Sequence, residues 1–448
     1  MKIIKPKKMT GTHILVLSFL GLIVAGTFLL KLPFASHSGT TWIDALFTAT
    51  SAVCVTGLIV VDTPVHFTIF GQIVILLLIQ LGGIGIMTFA ASLIYTLSRK
   101  LPLANRIIME DSFMQGATDI KLSNLLKFIV KYTFIFEGAG ILLFMIFLDE
   151  QNIGRRLYFS VFHAVSAFCN AGFSTYSSSL MRYNENMGVN ITTMILIVSG
   201  GIGFLVAYEI KSKVAGKLFN KRKKGRYEKY YVFSLHTWLV LVTTGILIVT
   251  GTLMIYLAEF YAGGNITYLE ALFQSVTART AGFNTIEISS LSKGSQIILT
   301  GLMFVGGSPG SAAGGIKTTT FAIIISMMFM GRNNFEDVVI RNRQLPRTIV
   351  FQALTVFIFA FTIVFLTVLS LSVFDSSKNT LSVIFESVSA FGTVGLSMGI
   401  TPELNQISKV IVTITMFCGR VGSLTIFSLL LTKPKTSETY ASDRVLIG

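Results

Sequence analysis

The chain has 448 residues, of which 52% are hydrophobic and only 13% charged, with a formal net charge of +15 and a mean hydropathy of +0.73. Soluble domains carry about 25% charged residues, so this composition excludes a disordered chain and argues against a soluble one; a polytopic membrane protein remains. The basic excess fits the cytoplasmic loops of such a protein and does not require nucleic acid as a partner. Cys54, Cys169 and Cys418 lie far apart with no CxxC, which gives neither a disulfide framework nor a zinc pattern.

A membrane crossing takes about 20 apolar residues. In chain order, runs near 12–31, 67–97, 125–148, 189–209, 232–258, 295–330, 349–374 and 408–432 give eight predicted spans. Lys2, Lys5, Lys7 and Lys8 precede the first run, but no small-x-small cleavage site follows it, so it reads as an uncleaved span. Within each pair of spans lies a half-apolar stretch too short to cross, near 41–53, 156–168, 266–279 and 379–391, read as a re-entrant helix.

Lys and Arg set the orientation. The N-terminus, 98–123, 211–229, 331–347 and the tail from 433 hold 24 of the 36, while the opposite loops hold seven. Eight spans with both termini cytoplasmic are expected, in a multi-pass protein of the cell membrane. The run Lys221-Arg222-Lys223-Lys224 marks the most basic loop. It serves either as a topology signal with some attraction for anionic lipid or as a docking surface for a cytoplasmic partner.

Each short stretch ends in a similar phrase: Phe47-TATSAVCVTG-Leu58, Phe162-HAVSAFCNAG-Phe173, Phe273-QSVTARTAG-Phe283 and Phe385-ESVSAFGTVG-Leu396. The glycines Gly57, Gly172, Gly282 and Gly395 are 115, 110 and 113 residues apart. The second span of each unit carries a matching pair: Gly82-Gly83, Gly200-Gly201, Gly306-Gly307 and, in the fourth, Gly419-Arg420. Two motifs in one order, four times, define repeats. The expected division is 1–98, 99–213 followed by the loop 211–229, 230–330 and 331–432, with a cytoplasmic tail at 433–448. The fold class is therefore all-α and polytopic, with four span–pore-helix–span repeats around a pseudo-four-fold axis.

An ion path must replace the hydration shell with oxygens, and backbone carbonyls can do so where glycine permits the required φ. The candidate ligands are the carbonyls of Val55, Thr56, Gly57, Asn170, Ala171, Gly172, Thr280, Ala281, Gly282, Thr393, Val394 and Gly395. No acidic ring lines these phrases, which favours a weakly held monovalent cation. The C-terminal end of each short helix adds a partial negative charge behind them. Arg279 interrupts the third phrase, itself one residue shorter, and is expected to point away from the path into an ion pair or carbonyl cluster.

A candidate gate lies in the third repeat, in Gly306, Gly307, Ser308, Pro309, Gly310, Ser311, Ala312, Ala313, Gly314 and Gly315. Such a run cannot continue a regular helix; it is read as a flexible loop in the pore or as a kink for close packing. Lys317 and Arg420 lie within spans, and intramembrane charges face a cavity or a partner. Arg420 replaces a glycine of the other repeats and can hold loop carbonyls, obstruct cations, or form a structural ion pair. His163 and Glu386 are expected to support the filter, and Glu137 to partner some basic group.

These units, glycines and the Gly306–Gly315 run resemble the Ktr/Trk/HKT superfamily of potassium transporters over essentially the whole chain, the bacterial Ktr membrane subunit most of all. The resemblance implies a potassium-channel-like fold made from one chain with pseudo-four-fold symmetry, a homodimer with one pore per protomer, potassium as substrate, and sodium as a frequent activator. It implies a cytosolic ring of regulatory subunits that gates the pore with ATP or ADP. Gly306–Gly315 corresponds to the family's intramembrane gating loop and Arg420 to its pore arginine. Gly57, where sodium-favouring members have serine, implies potassium. Arg279 and the short third phrase depart from the pattern.

A secondary active cation symporter with alternating access is the alternative, since broken helices suit it; however, each unit has an even number of crossings, so all four are parallel rather than inverted. No HExxH and no catalytic triad set is present, so an enzyme is not expected. Gly82-Gly-Ile-Gly85 and Gly200-Gly-Ile-Gly203 lie within spans and not after strands, so they are not phosphate loops. The chain itself calls for no organic cofactor.

Overall fold

The computed structural model describes residues 11–85, 122–219, 233–330 and 338–422. Four long apolar helices begin the four repeats: α1 (Gly11–Lys31), α5 (Leu122–Phe147), α9 (Leu235–Tyr261) and α13 (Arg347–Phe374). All four are long and apolar enough to cross a membrane; only 22% of the α13 window is buried, so most of its apolar surface lies on the outside of the chain.

A short helix follows each span: α2 (Trp42–Val53), α6 (Ile153–Phe168), α10 (Tyr268–Thr277) and α14 (Thr380–Gly392). Thr41, Asn152, Thr267 and Asn379 cap their N-termini with side-chain oxygens, and Glu270 completes a capping box in the third. Phe47, Phe162, Phe273 and Phe385, the aromatics that open the four phrases, are fully buried. The turn α3 (Thr63–His66) precedes the second span of the first repeat.

The second spans are α4 (Ile69–Ile84), α7 (Met187–Gly201) continuing into α8 (Phe204–Phe219), α11 (Lys293–Phe304) continuing into α12 (Thr318–Met330), and α15 (Gln406–Val421). A break was expected only in the third repeat. Instead, the run 189–209 is also broken: α8 leaves α7 at 99°. The cause is the last glycine of the motif in the first, second and fourth repeats, because Gly85, Gly203 and Gly422 take φ of +85°, +93° and +93°, which no helix continues through. The remainders of 67–97 and 408–432, and the basic run 221–224, lie outside the described residues. A two-stranded hairpin, β1 (Val339–Ile340) with β2 (Arg343–Gln344), precedes α13.

Ring closure comes from one recurrent contact, in which each second span packs on the short helix of the next repeat. Thus α4 meets α6, α7 meets α10, α11 meets α14, and α15 returns to α2. The glycine pairs allow the approach within a repeat. A Cβ on Gly82, Gly200 or Gly419 would collide with the carbonyl of Val53, Phe168 or Phe391, near the C-terminal end of that repeat's own short helix.

Candidate functional site

The four phrases after the short helices share one backbone conformation. Val55, Asn170, Thr280 and Thr393 have φ of +57°, +60°, +71° and +49°; Gly57, Gly172, Gly282 and Gly395 have +89°, +70°, +77° and +91°. The residues between them keep negative φ. Alternating the sign of φ turns successive peptide planes the same way, so consecutive carbonyls can line one side of the strand. Left-handed β-branched residues are costly, and here three of the four phrases use one. The third phrase keeps the alternation despite its missing residue: Ala281 N–H donates to Thr277 O four residues back, where Thr56 and Ala171 reach five back to Ser51 and Ser166.

The four glycines meet in cyclic order. A Cβ on Gly57 would strike the Ala171 carbonyl, one on Gly172 would lie 2.8 Å from the Ala281 carbonyl, one on Gly282 would strike Val394, and one on Gly395 would return to Thr56. All four glycines line a cavity of about 270 Å³. Asp62 lies in that lining beside α3. His66, on α3 outside the spans, is held below the ordinary imidazole pKa by burial, against the opposing pull of Asp44; it therefore adds no positive charge at neutral pH.

Hydroxyls on the short helices hold the phrases in place, a role that the sequence reading missed. Ser51 Oγ donates to Leu58 O at 2.7 Å, Ser166 Oγ to Phe173 O at 2.7 Å, and Thr277 Oγ1 to Phe283 O at 2.6 Å. Gly57 N–H and Gly395 N–H donate to the hydroxyls of Ser51 and Ser389, each at 3.1 Å. The signal was present: a Ser or Thr stands six residues before the glycine in three repeats and five before it in the short one.

A second tie lies one residue after the opening phenylalanine in three of the four repeats; in the first, the Thr48 hydroxyl has no partner among the described residues. His163 Nε2 meets Ser174 Oγ at 3.0 Å, and Gln274 Nε2 donates to Thr285 Oγ1 at 3.3 Å. Glu386 accepts from Ser397 Oγ, from Met398 N–H at 3.1 Å and from Thr401 Oγ1 at 3.0 Å. His163 and Glu386 therefore brace the loops that follow the phrases. Arg279 is buried and turned from the ring, but it finds neither an ion pair nor carbonyls; a terminal nitrogen is 3.4 Å from Thr244 Oγ1 on α9, and Nε has no partner among the described residues. Glu137 likewise lacks a basic partner there: its carboxyl is hydrogen-bonded to Gln80 of α4.

The segment 305–317 is a loop on the far side of the ring from the cavity, packed against the residues that begin two phrases. Glycine Cβ positions at Gly306 and Gly314 abut the Thr280 and Thr393 side chains, and that at Gly315 lies 3.2 Å from Gly392 Cα. Hydrogen bonds fasten the loop to the break of the second repeat: Ser308 N–H to Gly201 O at 3.0 Å, Ala312 N–H to Gly200 O at 3.2 Å, and Phe204 N–H to Gly310 O at 2.9 Å. Lys317 Nζ folds back onto Ala313 O at 2.7 Å. Arg420 of α15 donates to Ala312 O and to Gly82 O, so the loop is connected to all four repeats.

Four parallel helical units arranged about an axis, with glycine backbone at its centre and long apolar helices outside, define the class as a membrane transport protein. The sequence belongs to the TrkH family of cation transport proteins, whose model matches residues 2–439. Among similar proteins, "Ktr system potassium uptake protein B" of Bacillus subtilis (strain 168) is 37% identical, covering 100% of this chain and 99% of its own. "Potassium/sodium uptake protein NtpJ" of Enterococcus hirae is 34% identical, covering 99% and 98%. The crystal structure of the potassium transporter TrkH from Vibrio parahaemolyticus superposes with a TM-score of 0.71 at 19% identity, covering 96% of this chain and 86% of that one, which bears on the fold.

Proposed function

We propose that this chain is the membrane subunit of a potassium uptake system, and that potassium passes in single file through the ring of Val55–Gly57, Asn170–Gly172, Thr280–Gly282 and Thr393–Gly395. The observation that carries the reading is the cyclic approach of the four glycines to the carbonyls of the next repeat. A ring of backbone carbonyls that replaces the hydration shell suits potassium. The names of the related Ktr proteins support the same ion, and that of the Enterococcus hirae relative brings sodium in as a second ion or activator.

The loop Gly306–Gly315, with Lys317 and Arg420, acts as the gate: it lies across the path below the ring and brings two positive charges beside it. The system is a homodimer in the cell membrane with its termini in the cytoplasm, where a nucleotide-binding regulatory subunit controls the gate; the word "system" in the relatives' names supports a second component. No organic cofactor is assigned to the chain.

The test is uptake of potassium against sodium in liposomes holding the purified protein, wild type beside Gly57→Ser. Selective potassium flux that Gly57→Ser degrades is expected. Selective flux indifferent to Gly57 would place the ion path elsewhere.

A further inference from the structure

The cavity above the glycine ring has one charged residue in its lining. Among the described residues that lining is made of glycine, hydroxyl-bearing and apolar side chains, together with Asn284 and a single charged group, Asp62. No described Lys or Arg joins it. Asp62 stands at the N-cap position of α3, where an aspartate normally spends an oxygen on a backbone N–H, yet its side chain makes no capping bond. Its Oδ1 has no hydrogen-bond partner among the described residues. That oxygen is shielded from solvent, while the residue itself lines a cavity floored by Gly57, Gly172, Gly282 and Gly395, so a carboxylate whose Oδ1 is not engaged by any described donor stands in the wall above the ring.

A single negative charge in a walled, otherwise neutral cleft focuses the local potential and raises the concentration of cations there. The ring below offers carbonyl and helix-end partial charges but no full charge, so the longest-ranged attraction in this cleft comes from the carboxylate. Resting on the uptake reading given above, we infer that Asp62 is an outer recruitment site for a hydrated monovalent cation, which sets the apparent affinity for potassium before dehydration in the ring. Selectivity and capture are then separate: carbonyls choose the ion, and Asp62 collects it.

The test is rubidium uptake into liposomes against rubidium concentration, at low ionic strength and with added choline chloride. Asp62→Asn should raise KM about threefold or more at low ionic strength, with a smaller change in maximal rate. The gap should narrow as salt screens the charge. Asp62→Glu should stay near wild type, and Ser178→Asp, elsewhere in the lining of the same cavity, should recover much of the affinity lost in Asp62→Asn. A wild-type KM for Asp62→Asn overturns the inference. So does a KM rise that neither salt nor Ser178→Asp moves, because that would mark a structural role. If Asp62→Asn does not reach the membrane, Ser178→Lys in the wild-type background should raise KM in the same salt-sensitive way, and an unmoved KM there also overturns it. If wild type is closed without its partner subunit, the series is run in the Arg420→Ala background; absence of rubidium flux from both backgrounds overturns the uptake reading first and this one with it, and selective flux with an unmoved Asp62→Asn overturns only this one.

Discussion

Arg420 donates one guanidinium arm to the carbonyl of Ala312 and another to that of Gly82. One side chain of the fourth repeat therefore clamps the third-repeat loop to the second span of the first. Charge-assisted bonds of this kind contribute roughly 1.5–3 kcal/mol each, enough to hold a loop with few other side-chain anchors. Arg420→Ala removes the clamp and the positive charge together. Potassium flux from liposomes without any partner subunit should rise several-fold; unchanged flux at equal protein level would count against the gate.

Ser51 both donates to Leu58 O and accepts from Gly57 N–H. Ser51→Ala leaves those two buried groups unmatched, at a cost of about 1–3 kcal/mol each. The phrase should relax and the potassium-to-sodium uptake ratio should fall, with less effect on the amount of protein in the membrane. A wild-type ratio would show that the hydroxyl does not position the carbonyls.

Arg279 makes the opposite case. Its charge is buried against one hydroxyl, with Nε unmatched, and replacing such a group by an apolar side chain of similar size is often neutral or stabilising. Arg279→Met should leave the uptake ratio near wild type and keep or raise the melting temperature in detergent. A collapsed ratio would mean that the guanidinium reaches the ion path.

Gly200 permits the passage of α7 past the carbonyl of Phe168, whereas nothing lies within 4 Å of a Cβ on Gly21. Gly200→Val should yield little folded protein in the membrane, while Gly21→Val should accumulate normally. Immunoblots of membrane fractions, read with size-exclusion profiles, compare the two.

The repeats were legible because each phrase occurs four times, so Gly57, Gly172, Gly282 and Gly395 identify one another. The breaks after Ile84, Gly201 and Val421 were not, because the apolar runs continue through them and hydropathy is blind to the sign of φ at Gly85, Gly203 and Gly422. Ser51, Ser166 and Thr277 escaped notice as ordinary small residues of short helices; their value lies in a carbonyl six or seven residues onward. The partners of Arg420 lie 108 and 338 residues away, a pairing that only the closed ring creates. Arg279 was placed on the correct side, but its partner was misjudged, since Thr244 carries no charge to announce it.

The contact of α15 with α2 closes a ring within one chain, and this bears on what the ring can contain. In an assembly of four identical subunits, any element added to one quarter appears in all, and four copies of a segment like Gly306–Gly315 would compete for one axis. Quarters joined in one chain escape that constraint: one supplies the loop, a second its anchor at Gly200 and Gly201, and a third the arginine that fastens it. A single loop at the centre of the ring thus depends on the quarters being free to differ.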